Sequence, residues 1–265
     1  MKPFYTSIFT LFISIAAVAQ FEAGGSYSLS IPQQEMAKNI QPLHSMNGLI
    51  QYRLPGKFSR VTFGTELGIG IYAHETRDQD LRFPDGSGTN TTIDYVSSVF
   101  QGNLFSRLYL HKEAKFNPYI NGKAGYANFF SNVTVGDPED EDDCRPLERK
   151  NIIRDHTFYY AWGGGFQLDL GLFSKKQQPG RGYIDISVNQ VTGCNLDYIN
   201  TKNIQDHVHV DPNAPAPLPG KGEPLNVRFV NVSTQAVHEH QVAEVYNSPL
   251  RMLDIKLGVI FKLAK

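Results

Sequence analysis

Val61-Thr62-Phe63-Gly64-Thr65-Glu66-Leu67-Gly68-Ile69-Gly70-Ile71-Tyr72-Ala73 decides the fold class. Val61, Phe63, Leu67, Ile69, Ile71 and Ala73 occupy alternate positions, with Thr65 the one interruption. The other face carries Thr62, Gly64, Glu66, Gly68, Gly70 and Tyr72. Side chains alternate across a strand, so a strict period of two reads as a β-strand with one apolar face. The end of the chain repeats the pattern. Leu253, Ile255, Leu257, Val259, Phe261 and Leu263 alternate there with Met252, Asp254, Lys256, Gly258, Ile260 and Lys262.

Six weaker segments obey the same rule, at 22–31, 46–54, 98–110, 119–130, 157–170 and 183–189. No segment carries a persuasive helical period. The reading is all-β, with eight strands.

The links between strands alternate in length. Residues 55–60, 111–118 and 171–182 are short, two of them built around Pro-Gly, whereas 32–45, 74–97, 131–156 and 190–251 are long. An antiparallel up-and-down transmembrane barrel shows this asymmetry, with tight periplasmic turns and longer extracellular loops. A soluble barrel has no physical reason to gather every long loop at one end.

Alternation alone does not say which face points inward, but the polar set does. Its charges are Arg53, Arg107, Lys123 and Lys256 against Glu66, Asp169, Asp185 and Asp254, four of each sign. The remainder is mostly small or uncharged, such as Gly64, Gly68, Gln101, Asn103, Asn121 and Gln167. A water-facing surface carries more Lys and Glu. Balanced charges with small spacers suit a narrow lumen in which ions must pair. Glu66 and Arg107 fall at similar heights on neighbouring strands with Lys123 one strand on, so an internal ion-pair network is expected there. Tyr126, Phe130, Phe158, Tyr160 and Trp162 lie near the outer strand ends, as an interfacial aromatic girdle would.

Composition agrees with this reading. The chain has 265 residues, 41% of them apolar and 19% charged, with a net charge of −1. Its mean hydropathy is −0.31 and its pI about 6.7. Such a balance lacks the basic surplus of nucleic-acid binders. No run of 18 apolar residues is present, which excludes a helical span but not a β-barrel. At the N-terminus, Met1-Lys2, an apolar run over 8–18 and Ala17-Val18-Ala19 form a secretory signal peptide, residues 1–19. Residues 20–265 are then the exported barrel domain.

Four segments carry a family resemblance: 118–126 (Pro-Tyr-Ile-Asn-Gly-Lys-Ala-Gly-Tyr), 162–170 (Trp-Gly-Gly-Gly-Phe-Gln-Leu-Asp-Leu), 182–188 and 257–263. Through them, residues 20–265 resemble the small eight-stranded outer-membrane barrels of Gram-negative bacteria, the OmpA/OmpX/PorT-like group. The resemblance implies the barrel and an outer-membrane location with both termini periplasmic. It names no single job, since such barrels serve structural, adhesive, secretory and occasionally lipid-modifying roles. The chain departs from many of them by ending in Leu-Ala-Lys rather than on an aromatic residue.

Eight strands enclose a lumen that side chains fill, so an open pore is not expected. Function then belongs to loops, lipid face or turns. Loop 190–251 is the main candidate, holding His207 and His209, a proline-rich stretch, and a hairpin over 226–232 and 236–246 with His238 and His240 in its second arm. Histidines at i and i+2 on a strand point the same way, which a divalent metal on this loop would need. Cys144 and Cys194 both fall on the outer side of this topology, and an oxidising compartment with an even cysteine count suggests a disulfide between them.

The acidic run 137–143 lacks a calcium-loop pattern and reads as a solvated tip that could meet lipopolysaccharide through cations. No Gly-x-Ser-x-Gly, His-Glu-x-x-His or Cys-x-x-Cys is present, and Ser106 on the apolar face has no histidine beside it in these sets. The expectation is a non-enzymatic outer-membrane barrel without a cofactor, structural or binding through its loops, in contact with membrane lipid and lipopolysaccharide. The alternative is a component of a secretion or envelope-assembly machine, docked to envelope proteins.

Overall fold

A computed structural model describes residues 20–82, 86, 88–111, 115–136, 148–173, 180–202, 204, 220–230 and 237–263. The signal peptide expected at 1–19 lies outside the described residues. The elements are β1 (Gln20–Pro32), α1 (Met36–Asn39), β2 (Leu43–Arg53), β3 (Val61–Arg82), β4 (Gly88–Tyr109), β5 (Phe116–Val135), β6 (Glu148–Asp169), β7 (Gly182–Ile199), β8 (Lys221–Val230) and β9 (Val237–Lys262).

Strands β1 to β7 pair in sequence order, β7 pairs with β9, and β9 returns to β1. Every pairing is antiparallel. The result is a closed, eight-stranded up-and-down barrel, and closure removes the exposed edges a flat sheet would have. Strand β8 stands outside the ring, paired along the far half of β9 from Lys221↔Tyr246 to Val230↔Val237. This is the hairpin expected within loop 190–251. Short turns join β2–β3, β4–β5 and β6–β7 at one end. Gly56 (φ +64°) and Gly180 (φ +77°) take the left-handed conformation that lets the two Pro-Gly turns close.

Low in the barrel, apolar side chains face out. Leu104 is 70% exposed, Met46 65% and Trp162 63%, while Glu66 and Arg107 are 1% and 3% exposed inside. Water would penalise such an apolar belt, and lipid favours it. This is the inverted arrangement of a membrane-spanning barrel. Leu168 and Phe158 bracket the outward face of β6. Ten residues of strand run about 34 Å at 3.4 Å each. At a tilt near 40° they span roughly 26 Å, matching the ~25 Å apolar band of such barrels.

Towards the long-loop end the arrangement reverses. Ile93, Tyr95 and Val133 are buried inside with Ile199, Ile204 and Ala243, whereas His74, Thr76, Asp78, Arg154 and His156 face out and are exposed. Register shifts lie near the change, between Ile71 and Ala73, Ser131 and Asn132, and Thr192 and Asn195, although on β6 the outward face already turns polar at His156, before its bulge. A bulge adds one residue to one strand and so breaks the period of two. The long connections expected at 74–97 and 131–156 are therefore largely strand, with β3 and β4 running on to Arg82 and Gly88. A search for outward apolar residues cannot follow a strand through that reversal.

The connection 33–42 folds inward and contains α1, one turn of helix where no helix was expected. Met36 and Ile40 are each 1% exposed and belong to one buried cluster with Leu43, Phe129, Leu196 and Tyr198. Burying each contributes about 1.5–3 kcal/mol. Lys202 Nζ donates to the carbonyl of Ala37, and the amides of Thr201 and Lys202 donate to the carbonyl of Asn39. The mouth of the barrel is plugged.

Candidate functional site

Three charged layers fill the lumen below this plug. In one, Arg53 Nε donates to Glu22 Oε1 at 3.2 Å and Nη2 to Gln167 Oε1 at 3.5 Å, with the guanidinium 4.4 Å from the Tyr109 ring centre. Gln51 also donates to Glu22. Next, Arg107 makes two parallel bonds to Asp185, with Nη1 3.2 Å from Oδ1 and Nη2 3.0 Å from Oδ2. Tyr119 donates its hydroxyl to the same Oδ1 at 2.9 Å. The guanidinium lies 4.7 Å from the Tyr119 ring and 5.0 Å from that of Phe105. The fork is held on its edge by a carboxylate and on its faces by aromatic rings.

Glu66 centres the third layer. Lys256 donates to it, Lys123 Nζ lies 3.5 Å away, and Asn103 Nδ2 donates at 3.1 Å. Lys256 also lies 3.7 Å from Asp254, which accepts from Ser30 Oγ at 2.9 Å. A cavity of about 20 Å³ touches Glu66, Lys123, Tyr159 and Lys256. That volume is enough for about one water.

The structure thus brings seven of the eight expected lumen residues into ion pairs, from Arg53 to Lys256. The partners differ from the expected set in three places. Glu66 stands opposite Asn103, while Arg107 stands opposite Thr62, four residues nearer the short turns. Arg107 therefore crosses the lumen to Asp185 rather than joining Glu66. Asp169 is not in an ion pair among the described residues. It accepts from the amides of Gly171 and Gly180 and shapes the β6–β7 turn. Glu22 was missed, although the signal was present: it shares the polar face of Ser26, Ser28 and Ser30 and stands opposite Gln51.

The loop candidates fare differently. His207, His209 and Cys144 lie outside the described residues. His238 and His240 sit on β9, their backbones opposite Phe229 and Val227. Cys194 is exposed and free, so the structure does not show the expected disulfide. On the outer face, Ser106 pairs across from Phe63 and His44 across from Ile71, eight positions away, so the two do not meet. His44 instead lies against the Tyr27 hydroxyl at 2.5 Å.

No family model matches the chain, and no curated protein matches it. Among solved structures it is similar to Neisserial surface protein A at 7% identity, covering 92% of this chain and 97% of that one, with a TM-score of 0.36. It is also similar to the translocator domain of the autotransporter NalP from Neisseria meningitidis at 9% identity, covering 99% and 98%, with a TM-score of 0.29. Identity and superposition are both low.

Proposed function

We propose that the chain is an outer-membrane barrel protein whose work lies outside its lumen, in structural support of the membrane or in binding by its long loops. The observation that carries this reading is the sealed interior beneath an outward apolar belt. Ion pairs and buried apolar side chains crowd the described lumen, which supports an interior closed to solutes. Its partners are then the surrounding lipid and lipopolysaccharide. The reading needs neither cofactor nor enzymatic step.

Gln20 and Leu263 lie together at the short-turn end, where the Leu263 amide donates to the carbonyl of Phe21. In this proposal that end faces the periplasm, and the β8–β9 hairpin rises above the outer surface.

Fractionation with a heat-shift gel and a planar bilayer tests the proposal. The protein should sediment with outer membranes, migrate faster unboiled than boiled, and pass no steady current. A soluble, heat-insensitive protein would sink the membrane reading, and a steady open conductance would sink the sealed lumen. Crosslinks from 55–60, 111–118 or 171–182 to envelope proteins would instead favour a role in secretion or assembly.

A further inference from the structure

The outer surface of β5 and β6 changes chemistry over a few residues. Phe158, Tyr160 and Trp162 face out in the belt, 69%, 57% and 63% exposed. Directly above them the outward positions become His156, Arg154 and Asn151 on β6, opposite Asn128, Phe130 and Asn132 on β5. Asn128, Phe130, Asn132, Asn151 and Arg154 line a depression of about 370 Å³. That is within the size range of small-molecule sites. At its lower edge the Tyr126 and His156 rings stack, 5.4 Å apart and 29° from parallel.

Arg154 makes no ion pair among the described residues, and three carboxylates of the outer strand halves accept hydrogen bonds from other partners. Asp155 accepts from the amides of His156 and Asp197, Asp94 accepts from Thr76, and Asp197 accepts from Asn247. A cation with three amide side chains, set just above an aromatic belt, sits where lipid headgroups lie. From Asn128 to Asn132 the donors extend over about 14 Å of strand. That is longer than one phosphate and suits a phosphate carried on a hydroxyl-rich sugar.

We infer that this depression binds the headgroup of a phosphorylated glycolipid, with Arg154 taking the phosphate, the asparagines taking sugar hydroxyls, and the acyl chains lying along Phe158, Tyr160 and Trp162. The inference rests on the membrane reading above and names one lipid partner for it. The guanidinium offers paired N–H donors to phosphate oxygens, and the amides supply both donors and acceptors to hydroxyls.

Trp162 is the single tryptophan of the chain and lies in the proposed acyl path, so it reports on the site. The refolded full-length barrel, in phosphatidylcholine vesicles, is titrated with brominated-chain lipids that quench tryptophan on contact. The probes are a diphosphorylated glucosamine-disaccharide lipid, its dephosphorylated form, and phosphatidylglycerol. The first should reach half-quenching at a mole fraction about tenfold below the other two. Arg154→Gln should remove that preference, and Asn132→Ala with Asn151→Ala should weaken it several-fold, in barrels that keep their heat shift. Equal quenching by phosphatidylglycerol, or a preference that survives Arg154→Gln, overturns the site. A wild-type protein that never inserts, shown by a missing heat shift, overturns the membrane reading itself.

Discussion

Arg107 on β4 and Asp185 on β7 meet across the lumen in a two-bonded pair, although three strand-to-strand steps separate them around the wall. The pair ties distant strands of the barrel together, as Arg53–Gln167 and Lys256–Glu66 also do. Removing one partner strands the other as a buried, unpaired charge, which typically costs about 3–5 kcal/mol. Arg107→Ala should therefore lower unfolding free energy by that much, measured with urea in vesicles. The double change Arg107→Met with Asp185→Leu should recover most of the loss. A single-variant cost below about 1 kcal/mol would show the strap to be idle.

The lipid face makes a second test. Leu104 lies in the middle of the apolar belt, whereas His74 faces out beyond the register shift. An arginine at mid-membrane costs about 2–4 kcal/mol on such barrels. An exposed surface change is usually within about 0.5 kcal/mol. Leu104→Arg should show the first figure and His74→Arg the second, in the same unfolding assay. Equal costs would put the waterline elsewhere.

Glycines on the two faces differ. A Cβ on Gly163 would sit 2.1 Å from the Val188 carbonyl oxygen, while one on Gly122 meets nothing within 4 Å. Gly163→Ala forces β6 from β7 and should cost about 1–3 kcal/mol. Gly122→Ala should be neutral or gain up to about 1 kcal/mol, because it restricts the unfolded chain without strain. Thermal midpoints of the two variants decide the point.

The plug and the charged layers can be separated. Ile40→Ala leaves a hole in the plug and should cost about 2–5 kcal/mol. Planar bilayers containing the variant should nonetheless stay silent, since the Arg53, Arg107 and Glu66 layers remain below it. A steady current from Ile40→Ala would move the seal from the ion pairs to the plug.

The barrel was legible because Phe63, Leu67, Ile69 and Ile71 alternate with Thr65 as the one interruption, and the low strands of the structure follow that phase. Glu66, Lys123 and Lys256 were legible as lumen charges for the same reason. Their partners were not, because pairing across a lumen depends on strand stagger, and one strand's pattern carries no stagger. The strand beyond Ile71 was invisible where a bulge resets the phase of β3, and β5 was invisible where its apolar side moves inward at Ala127, Phe129 and Val133 without any change of phase. Residues 36–40 escaped notice because one turn is too short to show a helical period. The rim proposed to take phosphate depends on bringing Asn128 and Asn132 beside Arg154 and Asn151, a neighbourhood that only the β5–β6 register creates.

The outward change from Ile71 to His74 on β3 and from Phe158 to His156 on β6 also acts as a depth gauge. Sliding the barrel two residues along its strands, about 7 Å of chain, would draw His74 and Arg154 into hydrocarbon or lift Phe158 into water. Either displacement is opposed from its first few ångströms, so the molecule floats at one level like a hull with a painted draught line. A bilayer that thins or thickens must therefore bend to meet the barrel, since the barrel has no second resting height. Membrane deformation around this protein is thus written into where its outward face turns from apolar to polar.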